Sequence, residues 1–116
     1  PFLADFDGEN LTNVRDLLQD EPYECPMKPF GGIEQLAFSP DGKYIAYTCR
    51  KKTGVAYSVS TDSDIFLYDI ENQTVKNLCK DFNSEDANQG YDINPAFTVM
   101  TKAGTFQKRY CCKYNR

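Results

Sequence analysis

Leu36-Ala37-Phe38-Ser39-Pro40-Asp41-Gly42-Lys43-Tyr44-Ile45-Ala46-Tyr47-Thr48-Cys49 is the stretch that decides the fold. Pro40 presets φ for the first turn position, and Gly42 suits a position that needs φ > 0. The residues on either side are β-formers. Ser39, Pro40, Asp41 and Gly42 therefore read as a structural turn, and the flanking runs as a hairpin whose first strand opens at Ile33, after Gly31-Gly32. Working outward, Lys51 to Ser63 is polar and irregular, and is predicted to be a long hairpin loop with strand-like ends over Val55 to Val59. Asp64 to Ile70 is a third strand, Glu71-Asn72-Gln73 a turn, and Thr74 to Cys79 a fourth strand. The expectation is an all-β chain built on an antiparallel four-stranded meander.

The chain also repeats itself. Laying Phe2 to Val14 over Phe66 to Leu78 without gaps matches Phe2 with Phe66, Leu3 with Leu67, Asp5 with Asp69 and Asn13 with Asn77. Phe6 meets Ile70, Leu11 meets Val75 and Val14 meets Leu78. A shorter match places Ala37-Phe38-Ser39 over Ala96-Phe97-Thr98. The two matches are offset by 64 and 59 residues, and four antiparallel strands over about 45 residues make a meander the size of one propeller blade. The chain is thus expected to hold the end of one blade (1–19), an inter-blade linker (20–32), one full blade (33–80), and a second linker with the start of the next blade (81–97). Leu11, Val14, Leu17 and Leu18 also fit a helical stripe. The repeat favours a strand for Leu11 to Val14, with a short helical turn over Asp16 to Gln19. Pro22, Pro26 and Pro29 break regular structure in the linker, which packs through Tyr23, Met27 and Phe30. Asp81 to Gly90 reads as a polar loop.

Composition narrows the function. The 116 residues carry 17 Asp+Glu, 13 Lys+Arg, five Cys, and no His or Trp. Without His, neither a Ser-His-Asp nor a Cys-His arrangement can be completed within these residues, and a His-containing zinc site is excluded. No apolar run approaches the ~20 residues of a membrane span, and Pro1 to Asp5 does not read as a signal peptide. The start reads as a chain cut from something longer. The net charge of -4 is uneven: residues 1–97 hold 8 basic and 17 acidic side chains, whereas residues 98–116 hold five basic ones and no acid. An acidic body argues against a nucleic-acid module. Cys25, Cys49, Cys79, Cys111 and Cys112 contain no Cys-x-x-Cys pair, so neither a zinc knuckle nor a thioredoxin-like motif is supported. Cys49 and Cys79 read as small buried residues. No cofactor is expected.

Leu36 to Tyr47 resembles the F-S-P-D-G-K-x-[IL]-[AV]-[YF] repeat of TolB-like β-propellers. Asp64-Ile65-Phe66-Leu67-Tyr68-Asp69 resembles the strand that follows it. The same repeat builds the propeller of the prolyl oligopeptidase family of serine peptidases, which includes dipeptidyl peptidases. Glu21 to Gly32 looks more like that peptidase branch than like TolB. The resemblance covers residues 1–97. It implies a propeller that gates or selects peptide substrates above a separate hydrolase domain, and a periplasmic or secreted location. Such an enzyme carries its nucleophile in a Gly-x-Ser-x-Gly elbow, which is missing here, so no catalytic residue is transferred. The alternative is a TolB-like segment acting as a protein-interaction scaffold. A third reading is a small β protein whose basic tail binds an acidic partner. After Phe97 the motif stops, so residues 98–116 are expected to be a divergent basic tail foreign to the family, or else a true divergent strand in which Phe106 and Tyr110 pack.

Other candidates have plainer readings. Asp5-Phe6-Asp7-Gly8-Glu9-Asn10 resembles part of a calcium loop, but the ligand spacing fails and a turn is favoured. Asn10-Leu11-Thr12 and Asn72-Gln73-Thr74 are glycosylation sequons at turn positions. Arg50-Lys51-Lys52 is an anion contact or a solvated loop start. Partners are then the absent hydrolase domain, a peptide substrate or a second copy of the chain. An isolated blade leaves sheet faces and edges uncovered, so self-association or strand exchange is expected.

Overall fold

The computed structural model describes residues 1–29, 31–79, 95–102 and 105–111, with side chains described up to residue 79 and at Pro95. The described residues form an all-β structure with one short helix. Its centre is the predicted meander. β3 (Leu36–Phe38), β4 (Tyr44–Cys49), β5 (Asp64–Asp69) and β6 (Thr74–Asn77) pair antiparallel in chain order. Tyr47 lies opposite Leu36 on one side and Phe66 on the other, and Tyr68 lies between Ile45 and Val75.

Strand alternation explains where the core forms. Ile45, Tyr47 and Cys49 share a face with Phe66 and Tyr68, and all five are buried in one cluster with Leu17 and Leu18. The Tyr47 and Phe66 rings stack across the strands at 5.6 Å and 22°, a pair that adds about 0.5–1.5 kcal/mol to simple area burial. Ala46 and Thr48, on the opposite face, are buried as well. β4 is therefore covered on both sides, which is why its sequence runs apolar rather than alternating.

Upstream, β1 (Phe2–Phe6) and β2 (Leu11–Asp16) form a separate hairpin. Its register shifts between Leu3 and Asp5, where Asn13 takes a φ of 51°, so a bulge bends the hairpin. Leu3 packs against the central cluster. Phe2, Phe6 and Leu11 face the other way and are exposed, as is Val14 beside the bulge. After β2 the chain turns at Leu17 to Asp20, with Leu18 N donating to Asp16 Oδ1 at 3.1 Å and Glu21 N to Leu18 O at 2.9 Å. The turn points both leucines into the core.

The linker packs as expected through Tyr23 and Met27, which is only 3% exposed; Phe30 lies outside the described residues. Met27 N donates to Oε1 of buried Gln35 at 2.7 Å, and Gly31 N donates to Met27 O at 2.7 Å. A methyl at Gly31 would run into the Met27 backbone and the Gln35 side chain.

Three local expectations are corrected. The first strand opens at Leu36, not Ile33, because Ile33–Gln35 forms a 3-10 turn, closed by Gln35 N donating to Gly32 O at 3.0 Å. That turn aims Gln35 at the linker and leaves Ile33 exposed. Val55 to Val59 is not strand-like but belongs to α1 (Gly54–Val59). Here tertiary contacts outweigh the β-propensity of two valines. Arg50 lies over the Tyr57 ring at 4.6 Å and donates from Nη1 to Tyr57 O at 2.9 Å, while Val55 and Val59 remain exposed. Finally, β6 ends at Asn77 rather than Cys79.

Residues 96–111 form a hairpin of β7 (Ala96–Lys102) and β8 (Thr105–Cys111). It opens where the shorter repeat match aligns Ala96 with Ala37 of β3, and it runs through the expected boundary after Phe97. The packing of Phe106 and Tyr110, and the loop expected over Asp81 to Gly90, lie outside the described side chains and residues.

Candidate functional site

The two ends of the central sheet carry different chemistry. One end holds the hairpin turns. Ser39 is buried, and its Oγ donates to Asp41 Oδ1 at 2.6 Å while accepting from Tyr44 N at 2.9 Å. Gly42 N donates to Ser39 O at 2.8 Å, and Gly42 takes the left-handed φ of 69°. Lys43 N donates to Asp41 Oδ1 at 3.2 Å. Ser39, Asp41 and Gly42 thus lock one another, and Pro40 stiffens the entry to the turn. Every polar atom named here is spent inside the turn, so the arrangement does structural work and offers no nucleophile.

The neighbouring turns behave alike. Asp7 Oδ1 accepts from Asn10 N at 2.8 Å and Glu9 N at 2.9 Å, and those backbone bonds hold its carboxyl below the ordinary 3.8. Asp69 is lowered by the Asn72 backbone N–H, at 2.9 Å, and by the Asn72 side chain. Asp5 Oδ2 accepts from Asn13 Nδ2 at 2.7 Å. These carboxylates serve local turns rather than a cation, and no group of three or more metal-ligating side chains occurs among the described residues. The sequon asparagines Asn10 and Asn72 are both exposed, each in the connection between two paired strands.

The other end joins the linker to the β4–β5 connection. A pocket of about 360 Å³ opens here, lined by Asp16, Leu18, Glu21, Tyr23, Glu24 and Cys25, among others. Its charges are paired. Lys51 Nζ lies 2.6 Å from Glu21 Oε2, and Lys28 Nζ lies 2.9 Å from Glu24 Oε1. Lys51 also sits over the Phe66 ring at 4.5 Å and the Tyr23 ring at 5.7 Å. One lysine thus ties the linker to β5 by an ion pair and two cation–π contacts. Lys52 pairs with Asp62 at 2.8 Å, and Arg50 is held on Tyr57. The Arg50-Lys51-Lys52 run is therefore engaged internally, which removes the expectation of an anion contact. Tyr57 Oη donates to Lys28 O at 3.3 Å and fixes α1 beside the linker.

Two thiols lie at the linker beside this pocket, and Cys25 belongs to its lining. Cys49 is fully buried, and its Sγ donates to Glu24 O at 3.5 Å. Cys25 is half-buried and packs on the same cluster. Burial pushes the Cys25 thiol up to about 11 and the Cys49 thiol up to about 12. Burial also raises the Tyr47 phenol well above its ordinary value. Sequence reading missed the Lys51–Glu21 tie and the nearness of Cys25 to Cys49. Both join residues more than twenty positions apart, and no spacing rule reports such pairs. The described residues contain no helix long and apolar enough to cross a membrane.

Comparison with curated proteins identifies relatives for the whole arrangement. The chain is 44% identical over 103 residues to Dipeptidyl-peptidase 5 of Porphyromonas gingivalis, covering 89% of this chain and 14% of the relative. It is 43% identical over 105 residues to Dipeptidyl-peptidase 5 of Porphyromonas endodontalis, covering 90% of this chain and 14% of that relative. Both matches are longer than 97 residues, so the similarity runs past Phe97 and weighs against a wholly foreign origin for residues 98–116. No family model matches, and no solved structure matches. The chain spans 14% of the length of the curated relatives it matches, and over that span it is similar to a stretch of two dipeptidyl peptidases.

Proposed function

We propose that this chain is a non-catalytic β-propeller segment of a prolyl oligopeptidase-like serine peptidase, in which the propeller gates or selects peptide substrates. The observation that carries the propeller part is a contrast between two copies of the repeat. Phe66 is 5% exposed, because the preceding hairpin and linker cover its face of the sheet. Its counterpart Phe2 is 76% exposed on the equivalent face of β1. Leu3, on the reverse of that hairpin, packs on the central cluster. Each unit thus covers the next with one face and needs a cover on the other, which is the logic of stacked repeats. The similarity to Dipeptidyl-peptidase 5 supports the peptidase part. Substrate selection is what the resemblance to propeller peptidases implies, and the loops at the linker end are where it would act, since loops on a rigid scaffold are where binding residues concentrate. On its own the chain self-associates to cover Phe2 and Phe6.

The test has two arms. Expressed alone, the chain releases no dipeptide from unblocked peptide substrates, whereas release that survives a serine-directed inhibitor control overturns its non-catalytic standing. The second arm reads the coding sequence around these residues, where a Gly-x-Ser-x-Gly elbow followed by Asp and His is the expected result. A continuation without them favours the scaffold reading.

A further inference from the structure

The thiols beside the pocket are arranged as an outer and an inner member. Cys25 lines the open pocket, while Cys49 is fully buried and outside the lining. The Cys49 sulfur contacts the carbonyl oxygen of Glu24 at 3.5 Å, and that oxygen belongs to the peptide joining Glu24 to Cys25. Covalent geometry sets the Cys25 Cα about 2.8 Å from that oxygen, and therefore within about 6.3 Å of the Cys49 sulfur. A disulfide needs the two Cα atoms within about 7 Å, so forming one here requires the Cys25 side chain to turn toward Cys49 and the linker to move with it. Cys79 is placed elsewhere: its sulfur accepts from Ile65 N at 3.3 Å, near the start of β5. The pocket is large enough to admit the end of a small thiol compound, and nothing in the turns or the substrate-selection reading uses either sulfur.

We propose that Cys25 and Cys49 are a reactive thiol pair, in which a small disulfide entering the pocket oxidises Cys25 first and Cys49 resolves the adduct into an intramolecular disulfide. In the first step the Cys25 thiolate attacks one sulfur of a small aliphatic disulfide such as oxidised glutathione. A Cys25–glutathione bond forms, the glutathione S–S bond breaks, and one glutathione leaves as thiolate. In the second step the Cys49 thiolate attacks the Cys25 sulfur and expels the second glutathione. Two cysteines are oxidised, one external disulfide is reduced to two thiols, and the two cysteine protons end on the departing glutathiones. The product ties the linker at Cys25 to the end of β4, in parallel with the Lys51–Glu21 tie. The high thiol pKa values make the reaction slow at neutral pH, because only the thiolate attacks.

The test treats the folded full chain with oxidised glutathione, quenches with acid, alkylates under denaturing conditions and maps peptides without reduction. The expected result is a peptide pair joined through Cys25 and Cys49, with loss of two alkylatable thiols. Glutathione remaining on Cys25 while Cys49 alkylates, a Cys25–Cys79 bridge, or no change in thiol count each overturns the proposal. In Cys49→Ala the adduct is expected to persist on Cys25. In Cys25→Ser, Cys49 is expected to stay unmodified, and glutathione on Cys49 in that variant overturns the assigned order. Should Cys49→Ala fail to fold by circular dichroism, the wild-type map and Cys25→Ser decide the matter.

Discussion

At the scale of single residues, the linker end depends on a few positions with no freedom to vary. Gly31 is one, since any side chain would collide with the Met27 backbone and with Gln35. Gly31→Ala is expected to lower stability by about 1–3 kcal/mol, the usual cost of overpacking, read as a drop in the urea midpoint; an unchanged midpoint would refute the close packing described. The buried thiols give a pH signature. Burial raises Cys25 from an ordinary 9.0 to about 11 and Cys49 to about 12, so the folded state holds these protons more tightly than the unfolded chain. Their contribution to stability is complete below pH 9.0 and is lost as pH rises through the folded values. Between pH 9.0 and about 11 the urea midpoint should therefore fall, and less steeply in Cys25→Ser. A flat midpoint over that window contradicts the burial of these groups.

At the scale of elements, the turn between β3 and β4 was legible because its chemistry is local. Proline, an aspartate acceptor and a glycine at φ > 0 must lie close together in sequence, and they do. Ser39 is the buried member that joins Asp41 to Tyr44. Ser39→Ala leaves Tyr44 N without its side-chain acceptor and is expected to cost about 1–3 kcal/mol. Thermal unfolding checks this, and a loss below the error of the measurement would contradict the role of the hydroxyl. The β5–β6 hairpin was legible for the same reason. What escaped was set by distance. Val55 and Val59 favour a strand locally, but Arg50 and Lys28 capture Tyr57 and the segment coils into α1. Ile33 looks like a strand opening, but the demands of Gln35 and Met27 turn it into a 3-10 segment. The thiol pair was illegible because its members come from the linker and from β4, and only the folded sheet brings them together.

At the scale of the whole molecule, the repeat found in the sequence has a physical consequence in the structure. The second copy is covered and the first is bare. Phe2, Phe6 and Leu11 expose an apolar face; of their counterparts, Phe66 is buried in the core and Ile70 packs against it, while Val75 stays 40% exposed. Contiguous exposed apolar surface of this kind calls for a partner, and a sheet from the same kind of unit is what covers it elsewhere in this chain. The acidic excess of residues 1–97 against the basic residues 98–116 adds an electrostatic attraction between chains that salt weakens, while sheet stacking through the aromatic face persists in salt. The measurement that bears most directly on the stacked-unit account is light scattering of the 116-residue chain at moderate salt. The account predicts a weight-average mass above the 13.2 kDa monomer that rises with concentration, and a shift toward monomer in the Phe2→Glu, Phe6→Glu double variant. A wild-type mass fixed at 13.2 kDa at all concentrations, with the chain folded, would contradict it.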